Sequence, residues 1–264
     1  MRRVGNCTAC TPNWPTACEA GACSVYGEET SIAAPAVLIS CEHAGNVVPE
    51  EYRELFAHAR DELESHRGFD AGALEVALRL SGMLAAPLYH TCVTRLLVEC
   101  NRSEDHADLF SRFTRLLPDD EKQRILATYY HPHRSAVCRQ VEMWTARGRP
   151  VVHVGVHSFI DEWPGQDRNF EIGLLFDPAR IWEGEICARW AEEISALWPQ
   201  IRVRANEPYL GVDDGLTTTL RDRFAGIAYA GIEVELRQGF LLSEAVAEVG
   251  WVLGAALRQV LGED

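Results

Sequence analysis

A single α/β domain, a mixed sheet with helices on both faces, is predicted by three features of the 264-residue sequence. Short β-branched or apolar runs alternate with longer stretches of helical period, as they do when strands and helices take turns along a chain. No internal repeat or low-complexity tract interrupts the alternation. No Gly-rich phosphate loop follows the first strand, which disfavours a dinucleotide-binding or P-loop version of the class.

The elements follow in order. Residues 1–34 carry Cys7, Cys10, Cys18 and Cys23 and no periodic pattern, so a flexible cysteine-rich extension is expected, with the domain spanning 35–264. "CTAC" and "CEAGAC" offer four thiolates, but their spacing fits no common zinc ribbon. Strands are predicted at 36–40, 87–92, 96–100, 150–159, 172–177, 201–206 and 230–237. Helices fill most gaps. "PEEYRELFAHARDELE" opens on Pro49 and two glutamates, as helix starts do. "AGALEVALRLSGML" places Leu74, Ala77, Leu78 and Met83 on one face. Residues 119–147 read as a long charged helix kinked at Pro132. "DPARIWEGEICARWAEEISALW" and "SEAVAEVGWVLGAALRQVL" complete the set.

The formal charge of −14 repels nucleic acid and anionic membrane surfaces, so a small molecule is the expected partner. No run approaches the roughly 18 apolar residues of a membrane span, and "MRRVGNCTACTPNW" has no apolar signal-peptide core. A cytoplasmic protein is expected. The five cysteines of the body read as small buried apolar residues. Oligomeric state leaves no mark on the sequence.

Polar groups collect where the predicted strands end. His43 follows the first, Glu99, Asn101 and Arg102 follow "LLVE", and His157 and Ser158 end "VVHVGV"; Asn206 and Tyr209 follow "IRVRA", and Glu235 and Arg237 close the last. In open α/β sheets ligands bind outside the carboxyl ends of strands. With Asp70, these residues supply what a catalytic zinc site uses: two imidazoles, a carboxylate, and a second carboxylate to take a proton from water.

"SCEHAGNVVP", "HRGFDAGA", "TRLLVECNR", "VHSF", "NEPY" and "IEVELRQ", in this order across residues 40–238, resemble the N-formylglutamate amidohydrolase family. The resemblance implies a three-layer α/β/α sandwich with a mixed central sheet, hydrolase-like and akin to the zinc exopeptidases. It also implies one Zn2+ per chain held by His43, His157 and a carboxylate. Asp70 is favoured for that carboxylate, with Glu42 behind it and Asn46, an amide and a poor ligand, at the position of a carboxypeptidase glutamate. The alternative for Asp70 is the N-cap of the following helix.

Glu235 resembles the catalytic glutamate, with Glu233 on the same strand face able to replace or support it; the alternative is an ion pair with Arg237. Arg95 and Tyr209 are candidates to stabilise the oxyanion, and Arg95 also resembles, with the Asn101–Arg102 pair, a binder of the substrate's carboxylates. Asn101, Arg102, Arg168, Asn46, His133 and Arg237 are candidates for substrate binding, since a guanidinium fork suits a carboxylate. His66 is either a supporting or an ordinary helical residue, and His131 and His153 read as structural. The implied reaction is hydrolysis of the amide of an N-acyl acidic amino acid, N-formyl-L-glutamate giving formate and glutamate. A deacylase of another N-acyl amino acid and a non-catalytic ligand-binding member of the fold are the alternatives.

Overall fold

The computed structural model describes residues 34–224 and 226–262. The four front cysteines and the extension expected around them lie outside these residues. Six strands form one sheet in the order β2-β1-β3-β6-β4-β5. They are β1 (Ala36–Cys41), β2 (Leu88–His90), β3 (Val151–Phe159), β4 (Ile172–Leu175), β5 (Val203–Ala205) and β6 (Tyr229–Arg237). β2, β1, β3 and β6 run parallel; β4 pairs antiparallel with β6 and parallel with β5, so the sheet is mixed as expected.

The helices are α1 (Arg60–Leu63), α2 (Ala73–Met83), α3 (Asp119–Ile125), α4 (His131–Thr145), α5 (Ile181–Leu197), α6 (Leu216–Arg223), α7 (Gln238–Phe240) and α8 (Val246–Leu261). Period-two alternation divides the central strands between two layers. Val37, Ile39, Val152, Val154, Val156, Ile232 and Val234 join the apolar faces of α2, α5 and α8 in the main core. Leu38, Val151 and Tyr229 face α4 and α6, with Val137, Val141, Leu216 and Leu220. The polar alternates Ser40, His153, His157, Glu233 and Glu235 belong to this second face. No helix among the described residues is long and apolar enough to cross a membrane.

Three expectations need correction, and one helix had no counterpart among them. "LLVEC" is no strand: residues 95–102 turn, with the Leu97 and Arg102 N–H groups bonded to the Thr94 and Glu99 carbonyls. Its apolar side chains are buried in a satellite core with Tyr52, Phe56, Ile125 and Tyr130, so burial without a ladder produced a strand-like pattern. The helix expected from Pro49 is a 3₁₀ turn over Glu50–Phe56 followed by the single turn α1. The 119–147 segment is two helices joined by a π turn over Leu126–Tyr130, with Pro132 just after the junction, in the first turn of α4. α6 was not predicted, because its three threonines are poor helix formers; Thr219 Oγ1 donates back to the Gly215 carbonyl at 2.9 Å.

Candidate active site

The site forms at the carboxyl ends of β1, β3 and β6. His43 sits two residues past β1, and its carbonyl accepts the Asp70 N–H at 3.0 Å, which fastens the 65–72 loop beneath it. Helix α2 takes Gly72 as its N-cap, in the left-handed region at φ 81°, with no side-chain capping bond. Asp70 is therefore free of a capping role and turns inward.

His43, Asp70 and His157 are all buried and converge. The two Nδ1 atoms lie 3.2 Å apart, and Asp70 Oδ2 is 3.1 Å from the first and 3.0 Å from the second. Tetrahedral zinc with bonds near 2.0 Å requires ligand separations of about 3.3 Å, so the triangle is close to one face of that tetrahedron.

The surrounding carboxylates set the tautomers. His43 Nε2–H donates to Glu99 Oε1, and His157 Nε2–H faces Glu42 Oε2 at 3.3 Å. Each ring then offers an Nδ1 lone pair, so three acceptors converge, and only a cation or a proton reconciles them. The donor set thus fits a divalent metal ion. Burial opposes the charged form of His157, but Asp70 and Glu42 outweigh it and raise its pKa well above the ordinary value. A proton and a metal compete for one place.

The carboxylates are themselves buttressed. Arg95 Nε donates to Glu99 Oε2 at 2.6 Å and Nη1 to Asp70 Oδ1 at 3.4 Å. Burial would raise the Glu99 and Asp70 carboxyls; Arg95 and His43 hold the first, and His43 and His157 the second, far below the carboxylate range. Glu42 is fully buried between His133 (Nε2 to Oε1, 3.2 Å) and His157, and these histidines hold its pKa low against burial.

A cavity of about 190 Å³ opens over the three convergent donors, walled by Arg95, Asn101, Arg102, Ser158, Phe159, Tyr209, Glu233 and Glu235 among others. Glu235 is 6% exposed, and its Oε2 has no hydrogen-bond partner among the described residues. Burial pushes its pKa up to about 8, with Asp70 and Glu233 adding to the shift against the pull of His157. It forms no pair with Arg237, whose Nη2 donates to Glu171 Oε1 at 2.9 Å. Glu233 points into the same cavity but accepts from Asn101 Nδ2 at 3.2 Å and Thr217 Oγ1 at 3.3 Å.

The remaining candidates divide. Asn101 also accepts the Leu216 N–H at 2.8 Å, and Arg102 Nη1 donates to the Asp214 carbonyl; both line the cavity, as do Arg95, Tyr209 and His66. Asn46 instead donates to the Leu63 carbonyl at 2.8 Å, and His133, Arg168 and Arg237 stand outside the cavity wall. Arg168 lies behind Tyr209, 3.4 Å from its hydroxyl and stacked on the Phe159, Trp163 and Tyr209 rings. In the sequence Glu99 stands out only as a polar strand-end group; its i, i+4 spacing from Arg95 is the available signal. Asp213 and Asp214, also in the wall, carried no signal in the sequence.

The N-formylglutamate amidohydrolase family model matches residues 35–241. The chain belongs to this family. Among solved structures, a gene product of Agrobacterium tumefaciens is 29% identical over 86% of this chain and 91% of its own, with a TM-score of 0.74. The N-formylglutamate amidohydrolase of Ralstonia eutropha is 16% identical over 87% of this chain and 94% of its own, with a TM-score of 0.58, a likeness of fold. No curated protein matches the chain. Among the described residues, His43, Asp70 and His157 form a buried group that could hold a metal ion.

Proposed function

We propose that the protein is a zinc-dependent amidohydrolase that cleaves the amide of an N-acyl amino acid, starting from the formyl group of the family's name substrate, N-formyl-L-glutamate. The observation that carries the reading is the meeting, in one cavity, of three convergent acceptor atoms and a buried carboxylate oxygen with no partner among the described residues. Two imidazoles and a carboxylate suit zinc and leave a fourth position open.

When bound there, zinc supplies a Lewis acid and lowers the pKa of a water to about 7. Glu235 accepts the proton of the attacking water through Oε2 and then delivers it to the leaving nitrogen, so that water and amide become a carboxylate and a free amine. Arg102 and Asn101 hold the substrate's α-carboxylate. Tyr209, 41% exposed at the cavity edge, donates to the developing oxyanion. Arg95 holds Asp70 and Glu99 in place.

The test is metal analysis of the full chain together with a panel of N-formyl and other N-acyl amino acids. About one equivalent of zinc and chelator-sensitive hydrolysis are expected, both lost in His157→Ala. Full zinc retention in both His43→Ala and His157→Ala, with the metal on Cys7, Cys10, Cys18 and Cys23, rejects the assignment.

A further inference from the structure

Among the polar groups at strand ends, Asn206 stands outside the cavity wall, yet its backbone is set apart. It is the first residue past β5 and lies in the left-handed region at φ 54°, which among the described non-glycine residues it shares with Ala85 alone. Asparagine and aspartate enter that region more readily than other residues with a side chain. The Asn206 N–H donates to the Leu174 carbonyl at 2.9 Å, continuing the pairing of β4 with β5.

The side chain then closes a loop. Asn206 Oδ1 accepts the Phe176 N–H at 3.0 Å and the Gly211 N–H at 2.9 Å, so one carboxamide oxygen joins the end of β4 to the far end of the 206–211 segment. Gly211 is fitted to this closure: a Cβ there would lie 2.1 Å from the Phe176 nitrogen, and any side chain would force the two backbones apart. From the other side Arg221, paired with Glu183, donates through Nη1 to the Gly211 carbonyl at 2.5 Å. Between these anchors the segment carries Tyr209 and Leu210 into the cavity wall. The contacts of the Tyr209 side chain itself are looser, with Arg168 Nη2 3.4 Å from its hydroxyl and the guanidinium carbon 5.4 Å from its ring centre.

We propose that Asn206 is a positioning residue, holding the Tyr209 hydroxyl where the oxyanion develops; the inference rests on the role given to Tyr209 in the amidohydrolase reading. The position asks for two properties at once, a backbone at positive φ and an acceptor within reach of two N–H groups. Glycine supplies only the first, and aspartate supplies both. Without the acceptor, the N–H groups of Phe176 and Gly211, both buried residues, lose their partner, and the segment bearing Tyr209 loosens. A displacement of about 1 Å at such a donor is enough to cost up to roughly 100-fold in rate.

The test compares Asn206→Gly, Asn206→Asp and Tyr209→Phe in the zinc-loaded full chain with N-formyl-L-glutamate. Asn206→Gly should lower kcat by roughly 10- to 100-fold with zinc content unchanged, and Asn206→Asp should restore most of the loss. In the Tyr209→Phe background, Asn206→Gly should have little further effect, because the two changes remove one function. Amide hydrogen exchange at Phe176 and Gly211 should quicken in Asn206→Gly and not in Asn206→Asp. Wild-type kcat in Asn206→Gly, or an equal loss with and without the Tyr209 hydroxyl, overturns the proposal while leaving the hydrolase reading in place. Hydrolysis of no N-formyl amino acid by the wild-type protein overturns that reading; exchange at Gly211 then decides the loop closure alone, which stands if Asn206→Gly quickens it and falls if it does not.

Discussion

His157 and Glu235 stand opposite each other as register partners across the parallel β3–β6 pair. Adjacent strands lie about 4.8 Å apart, so the spacing between a metal-binding imidazole and the proposed base is fixed by the backbone ladder. Period two then puts Glu233 one step deeper on the same face, opposite Gly155. The absence of a side chain at Gly155 leaves room: a Cβ there would lie 3.4 Å from Glu233 Cγ and 3.6 Å from His157 Nε2.

Glu235→Gln separates activity from stability. The amide keeps the shape but accepts no proton, so turnover should fall by roughly 10²- to 10⁴-fold with zinc content unchanged. Glu235 has a folded-state pKa of about 8, raised chiefly by burial above the ordinary carboxyl value. A raised pKa contributes stability that is full below the unfolded value and lost as pH rises through the folded one. Metal-free Glu235→Gln should therefore be more stable than wild type at pH 8 and show little difference near pH 4, by urea denaturation. Wild-type turnover in the variant would assign the base to Glu233; loss of metal would make Glu235 a ligand.

The carboxylates behind the ligands should tune metal affinity. Glu42→Gln and Glu99→Gln each remove the charge that receives an imidazole Nε2–H, while leaving His43, Asp70 and His157 in place. Such outer partners contribute about 10- to 100-fold in metal affinity, which competition with a chelator measures directly. Asp70→Asn should cost more than either, because it replaces a donor atom. Unchanged affinity in both glutamine variants would mean that the imidazoles are oriented by packing alone.

Much of this site was legible because strand ends and alternation are simple rules. His43, His157 and Glu235 follow from an apolar run with polar residues at its end or on alternate positions. What stayed hidden depends on pairing through space. Arg95, Arg102, Arg168 and Arg237 look alike in sequence, yet Glu99 and Asp70 engage the first and Glu171 the last. No local pattern reveals those partners. The "LLVEC" error has the same origin: Leu97 and Val98 are buried by residues 50–56 and 125–130, and burial alone does not specify a ladder.

His153 provides a pH test that does not touch the catalytic groups. It is fully buried in β3, with its ring nitrogens 2.7 Å from the Tyr229 and Ser40 hydroxyls. Burial depresses its pKa from 6.5 to about 4, only partly countered by Glu42. The unfolded chain therefore binds a proton more readily between these values, and the contribution to stability is full above pH 6.5 and lost as pH falls through 4. The total is on the order of 3 kcal/mol, of which about 2 kcal/mol should be gone by pH 5. His153→Gln keeps an amide to bond both hydroxyls but does not titrate. Urea denaturation of both metal-free proteins at pH 7.5 and pH 5 should show a smaller acid loss in the variant, because the other titrating groups cancel in the comparison. Equal losses in the two proteins would show that His153 takes up its proton alike in the folded and unfolded chains, and that the acid sensitivity lies elsewhere.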